Sequence, residues 1–335
     1  MKYRSCCPST RSNVRRAIDH DRFSHEEGAD LKIRRIALIG VGAVGAYLIW
    51  SFERTADITL TVVAEGARAE RLKRDGIIIN GIHYPLYVQE PSQAGPQDLI
   101  FISTKYSALD EAVAMLPPLI GPDTLVLSLL NGVDSEDRVA QAVGPEHVVH
   151  SVIRIASQRT GAEVRFDPDR VIGLSFGLQG ARTEERWKLE ALSALFAESR
   201  LRWQLSNDIV TDIWLKYASN IANNLPQAVI GAPAGLYLKS EHGVFLAQKL
   251  WSEVAAVAAA KGIHLAKDVL IFPGQSPSAR YSTLQDLEAG RHTEIDIFAG
   301  HMLRMAEEAG ISVPYCEYTF HVIKAIEEKN DGLFD

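Results

Sequence analysis

The sequence predicts an α/β protein: a doubly wound parallel sheet in its amino-terminal part and an all-helical carboxyl-terminal part. Three observations carry this. Apolar strand-like runs alternate with helical patterns up to about residue 155, and a glycine-punctuated turn joins the first strand to the first helix. From about residue 183 the apolar spacing becomes helical almost throughout. With 335 residues the chain has room for two sizeable cores, and its apolar fraction of 47% is ordinary for a globular protein.

Taken in order, residues 35–49 read as a buried parallel strand, a turn and a helix. Residues 58–64, β-branched and apolar, form a second strand, and 67–74 a short helix stopped by Gly76. Residues 77–80 and 84–88 make a hairpin-like excursion around Asn80-Gly81, a pair suited to a type I′ turn. Residues 98–103 and 124–129 are further buried strands, with a helix between them that must end before Pro117-Pro118. Residues 148–155 close this part. Short alternating pieces at 162–166 and 171–175 read as antiparallel strands at the sheet's far edge. A helix over 183–199 and a strand over 201–205 follow. Helices are then expected over 208–224, 241–261, 277–289, 293–309 and 314–328, with Gly262 and Gly310 as stops. The expected division is 33–205 for the sheet domain and 206–335 for a helical substrate and catalytic domain.

Composition excludes several classes. A net charge of -7 argues against a nucleic-acid or anionic-membrane binder. Cys6, Cys7 and Cys316 offer neither a disulfide framework nor a zinc spacing, so no metal site is expected and a reducing cytoplasm fits best. The uncharged apolar stretch 36–52 is short for a membrane span and is cut by three glycines. Residues 1–32 are polar, mixed in charge and without an apolar h-region. They are expected to be a disordered extension or the product of an upstream start codon rather than a targeting segment.

The turn itself is Gly40-Val41-Gly42-Ala43-Val44-Gly45, a G-x-G-x-x-G between strand and helix. In that frame the first glycine permits the tight turn and the second lets backbone approach a pyrophosphate. The third packs helix on strand. The pattern points to a Rossmann-type domain and a dinucleotide cofactor, with the phosphates at the helix N-terminus.

Within 208–224, Lys216, Asn220 and Asn224 recur every four residues and line one helix face, with Asn223 beside them. Asparagine is a poor helix former, so this stripe needs a compensating reason. A solvated face is one reading. The apolar or small flanks, Trp214, Leu215, Tyr217, Ala218, Ile221 and Ala222, favour the other: a lysine able to protonate an oxygen gaining negative charge. In a second cluster, 282–296, Glu294 and Asp296 stand in the first turn of a helix, where acids simply complement the dipole; capping and function stay open there. Lys105 and Asn131 follow two buried strands at the carboxyl edge of the sheet, where such sheets bind ligands, although both residue types also serve plain turns.

Together these residues resemble the ketopantoate reductase (2-dehydropantoate 2-reductase) family over about residues 33–328. The glycine turn is generic. Trp214-Leu215-Lys216-Tyr217-Ala218-Ser219-Asn220 with Asn224, followed by Ser282-Thr283-Leu284-Gln285-Asp286 and Thr293-Glu294-Ile295-Asp296, is specific. The resemblance implies reduction of ketopantoate to pantoate, in pantothenate and hence coenzyme A synthesis. Lys216 is then the general acid and Glu294 its partner at the product hydroxyl. Asn220 and Asn224 orient the substrate, Ser282 binds its carboxylate, and Lys105 and Asn131 sit at the nicotinamide end. The expected partner is a small 2-oxo acid, with a homodimer left open.

Three positions depart from the family pattern. Members usually carry an arginine after the second strand for the 2′-phosphate of NADP(H). This chain has Glu65, 20 residues past Gly45, where an acid accepts from a free ribose hydroxyl, so NADP(H) and NAD(H) both stand. Ala234 and Ala279 replace asparagines that many members use near the substrate. These departures favour a second reading, an NAD-dependent D-2-hydroxy acid dehydrogenase acting on branched or aromatic 2-oxo acids. A third, a non-catalytic dinucleotide-binding redox sensor, has no need of the Lys216 set.

Overall fold

Ile36, Ala37, Leu38 and Ile39 are all buried, the even and odd positions in two different apolar clusters. A strand covered on both faces loses its polar alternation, which is why this run reads as continuously apolar. The computed structural model describes residues 32–180, 183–266 and 276–334. The extension expected at 1–32 lies, Lys32 apart, outside the described residues.

From this strand, β1 (Arg35–Ile39), the chain runs through α1 (Ala43–Phe52), β2 (Thr59–Val63) and α2 (Gly66–Asp75). A hairpin, β3 (Ile77–Ile79) and β4 (Ile82–Tyr84), and a short strand, β5 (Val88–Gln89), come next. Beyond α3 (Pro91–Ala94) lie β6 (Leu99–Ile102), α4 (Leu109–Ala114), β7 (Leu125–Ser128), α5 (Ser135–Val143) and β8 (His150–Arg154). Then follow β9 (Ser157–Thr160), β10 (Glu163–Phe166), β11 (Gly173–Gly177), α6 (Arg186–Ala197) and β12 (Trp203–Leu205).

The main sheet has the parallel order β5-β2-β1-β6-β7. Because the chain leaves β1 toward β2 and returns on the other side at β6, a topological switch point lies between β1 and β6. A single parallel bridge, Val126 to Val148, carries the layer on to β8, which pairs with β11 and then β12. The expected α/β class, a Rossmann-type sheet followed by helices, is what the structure shows.

Two strand expectations need correction. Residues 84–88 are not one strand. Pro85, which has no N–H to give a ladder, separates β4 from β5, and β5 joins the edge of the main sheet. The piece at 162–166 is not at the far edge either: β10 belongs to a separate sheet, β4-β3-β10-β9. The Asn80-Gly81 turn is as expected, with both residues at positive φ and Ile79 opposite Ile82.

All described elements after β12 are helical: α7 (Ile209–Ser219), α8 (Leu225–Ile230), α9 (Leu236–Lys239), α10 (Glu241–Ala260), α11 (Ser282–Glu288), α12 (His301–Ala309) and α13 (Pro314–Asn330). Asp208 caps α7 by accepting from the Thr211 N–H at 3.1 Å. Ile209 and Ile213 pack on Val152 of β8, seating the helix against the sheet.

The helix expected over 208–224 does not stop there. It widens into a π-helical turn at Asn220–Asn224 and runs on to Ile230, ended by Gly231 in the left-handed region. A second π-helical turn, Asp296–Gly300, precedes α12. The helix expected from 277 begins only at Ser282, and the one expected from 293 begins after Glu294. Cys316, in α13, is fully buried and its N–H donates to Glu253 at 2.8 Å; burial pushes its thiol well up.

Candidate active site

The glycine turn has the shape its sequence demands. Gly40 has φ +103°, and a Cβ there would come within 2.7 Å of the Ser103 carbonyl carbon. Ser103, at the end of β6, donates its hydroxyl to the Gly40 carbonyl at 2.7 Å, closing the switch point. A Cβ on Gly45 would collide with that same carbonyl oxygen. At Gly42, the N-cap of α1, a Cβ would meet nothing nearer than the Ser103 oxygen at 3.9 Å, and neither a side-chain cap nor an acid occupies the first turn. Backbone N–H groups thus stand open on the side where a pyrophosphate would sit, and the residues present fit a dinucleotide. Val41, Ala43 and Val44 complete the turn. Glu65 is exposed at the carboxyl end of β2, in extended backbone at the N-cap of α2, with Arg68 and Arg71 also exposed further along.

At the same edge the strand ends meet the helices. Asn131, beyond β7, donates its side-chain amide to the Glu294 carboxylate at 2.8 Å. Lys105, beyond β6, reaches Asp286 of α11 at 3.6 Å, and Asp286 is also held by Arg291 at 2.7 Å. Glu294 is therefore not spent on capping its helix. Its neighbour Thr293 takes the local bond, accepting from the Ile295 N–H at 3.1 Å. Buried Glu327 of α13 fixes Thr293 in turn, receiving its N–H and its hydroxyl at 2.7 Å each.

Lys216, in the last turn of α7, is partly buried and makes no hydrogen bond or ion pair among the described residues. Burial lowers its ammonium to about 8, and Arg154 pushes the same way against the pull of Glu294 and Glu136. Asn220 and Asn224 follow on the π-helical turn, a distortion often found at functional sites, with the Asn224 amide 3.5 Å from the Asn220 oxygen. The Tyr217 hydroxyl donates to the Phe298 carbonyl at 2.6 Å, so α7 is tied to the second π-helical turn beside the lysine. Ser282 is exposed at the start of α11 and makes no side-chain bond among the described residues; its helix packs against the turn that carries Asn220 and Asn224.

Two charged residues of this region escaped the sequence reading. Arg154 ends β8 and donates to the Asp212 carbonyl at 3.0 Å, one helical turn before Lys216. Its signal was a lone cation closing an apolar strand. Glu136 is buried in the first turn of α5, accepting from the Ser135 hydroxyl at 2.7 Å, and burial raises its carboxyl to about 7. An acid at a helix start looks like a dipole partner, which hid it.

The cavity lined by Asp123, Thr124, Glu146 and Lys188 lies at the amino-terminal end of β7, away from this edge, and buried Lys188 is already bound to Glu185 at 2.7 Å. Among the described residues no group of His, Cys, Asp or Glu can hold a metal ion, and no helix is long and apolar enough to cross a membrane.

Comparison with known proteins covers the same span. The family model "Ketopantoate reductase PanE/ApbA" matches residues 36–172, and its C-terminal counterpart matches residues 208–327. A 2-dehydropantoate 2-reductase of Mesorhizobium japonicum is 26% identical over 294 residues, covering 78% of this chain and 88% of the relative. A PanE/ApbA family ketopantoate reductase from Ralstonia eutropha superposes with a TM-score of 0.74 at 25% identity, over 89% of this chain and 99% of that one. D-mandelate dehydrogenase, solved with NADH and anilino(oxo)acetate, gives a TM-score of 0.78 at 23% identity, with coverage of 89% and 99%, a likeness of fold.

Proposed function

Since this chain belongs to the ketopantoate reductase family, we propose that it reduces the ketone of ketopantoate to the alcohol, using a nicotinamide cofactor. The observation that carries this reading is the amine of Lys216, unpaired among the described residues and held in a partly buried site among Glu294, Glu136 and Arg154 at the sheet edge that bears the glycine turn.

When bound, the cofactor supplies the hydride. The chain supplies the proton and the geometry. Lys216 gives the proton from Nζ to the oxygen that gains charge, and a value near 8 keeps it mostly protonated at neutral pH yet ready to release. Glu294, steadied by Asn131, holds the ammonium in aim and receives the new hydroxyl. Asn220 and Asn224 orient the substrate, Ser282 donates to its carboxylate, and Lys105 and Asn131 flank the nicotinamide end. The partition into a sheet domain of 33–205 and a catalytic domain of 206–335 belongs to the same proposal, as does the cytoplasm as its compartment.

A second substrate reading rests on the loop opposite. Ala234 is buried and its N–H donates to the Ala279 carbonyl at 2.9 Å, while Gln227 joins the loop at 3.3 Å and receives the Tyr281 N–H at 3.1 Å. Two small apolar side chains thus stand where the family pattern has asparagine. That wall suits a branched or aromatic 2-oxo acid better than the hydroxyl of ketopantoate. Glu65 supports NADH in either reading.

Nicotinamide absorbance followed with purified protein tests all of this, using ketopantoate, 2-oxoisovalerate and phenylglyoxylate against NADH and NADPH. Highest kcat/KM for ketopantoate supports the first reading, and highest for phenylglyoxylate the second. No turnover of any 2-oxo acid overturns both and leaves a redox sensor.

A further inference from the structure

We propose that Arg154 is the receptor for the substrate carboxylate, a specificity-determining residue on the sheet side of the site. The inference rests on the 2-oxo acid reading above and adds to it the group that recognises the acid.

A guanidinium carries five N–H donors. Arg154 uses one of them, from Nη2 to the Asp212 carbonyl at 3.0 Å, and makes no ion pair with a carboxylate among the described residues. The nearby acids have other partners. Asp212 accepts from the Ser206 hydroxyl at 2.6 Å, Glu136 from Ser135, and Glu294 from Asn131. Arg154 is itself partly buried, and none of its nitrogens is among the fully enclosed unbonded atoms, so its remaining donors are reachable by an incoming ligand. A half-buried cation with no ion pair is costly: burial works against the Arg154 charge, the Asp212 carboxylate offsets only part of that, and a second cation, Lys216, stands beside it. An arriving anion relieves both.

Placement decides which anion this is. The pyrophosphate site at Gly42 follows β1, whereas Arg154 closes β8, beyond β6 and β7. Three strand spacings separate them, roughly 14 Å, too far for a single guanidinium to serve the phosphates. The same arginine is anchored one helical turn from the proton donor. A 2-oxo acid carries its carboxylate on the carbon adjacent to the ketone, so a carboxylate on Arg154 leaves the ketone oxygen toward Lys216. The planar fork matches a carboxylate in bidentate fashion, with the Ser282 hydroxyl adding a single bond.

The test measures binding apart from turnover. Oxamate, a 2-oxo carboxylate that is not reduced here, is titrated calorimetrically into NADH-saturated full-length protein, wild type and Arg154→Gln, with Arg154→Lys as a second variant that keeps the charge. Oxamate affinity should fall about 30-fold in Arg154→Gln and by less in Arg154→Lys, with NADH affinity unchanged. For a substrate that turns over, kcat/KM should fall as much for the acid, and less than about threefold for its methyl ester. Equal oxamate affinity in wild type and Arg154→Gln, no oxamate binding to wild type, or equal losses for acid and ester would overturn the proposal. Failure of the parent reading looks different: wild type would bind oxamate in an Arg154-dependent way and reduce no 2-oxo acid.

Discussion

The side-chain amide of Asn131 donates to Glu294 at 2.8 Å, across 163 residues of chain. One end follows a strand of the sheet and the other precedes a π-helical turn, so this bond sets the carboxylate relative to the cofactor turn. Asn131→Asp places two carboxylates in contact, where Asn131→Ala merely removes a donor. Turnover at neutral pH should therefore drop further in Asn131→Asp, by about tenfold beyond the alanine variant, and recover as pH falls and one acid takes up a proton. Equal turnover of the two variants across pH 5–8 would show that the bond does not matter.

Lys216 has to be protonated to donate. With its ammonium lowered to about 8, ketone reduction should be level below that pH and decline above it. Oxidation of the alcohol needs the free amine and should rise over the same range. Lys216→Ala should lower reduction by about 100-fold or more and flatten the profile. Initial rates from pH 6 to 10 provide the check.

Glu136 makes stability depend on pH. Its carboxyl is raised by burial to about 7 from an ordinary 4.5, so between those values the folded chain holds a proton that the unfolded chain has lost. Stability should fall as pH rises through that window, by roughly 3 kcal/mol in all, and stay level above it. Glu136→Gln should remove that part of the slope, as read by urea unfolding at pH 5 and pH 8. An unchanged slope would mean the carboxyl is solvated in solution.

Glu65 stands at the end of β2 with its side chain exposed. Glu65→Arg should shift the ratio of kcat/KM for NADPH over NADH upward by about 100-fold, since it replaces repulsion of a phosphate by a charge-assisted bond. No shift would place the reading of the 2′ group elsewhere, with Arg68 and Arg71 next to be tried.

How much of this was legible in sequence depended on whether local spacing carried the information. The glycine turn did, because each glycine answers a steric demand of its own strand, turn or helix. The Asn220-Asn224 pair did too, because its four-residue spacing leaves the two side chains 3.5 Å apart. The π-helical turns were not legible: the widening is tied to contacts such as Tyr217 with Phe298, 81 residues away, that no local pattern encodes. Arg154 and Glu136 were hidden for the same reason. Each looks like an ordinary strand-end or helix-start charge until β8 and α7 are brought together.

Cys316 has a practical consequence. Its thiol is sealed between α10 and α13 and resists ionisation, and only the thiolate attacks soft electrophiles. Peroxide or a maleimide should therefore leave this sulfur untouched while the protein stays folded. With Cys6 and Cys7 replaced by serine, a cysteine engineered at Ala279 would then carry a fluorophore on the Ala234–Ala279 loop without competition from Cys316, giving an optical view of ligand entry that absorbance cannot offer.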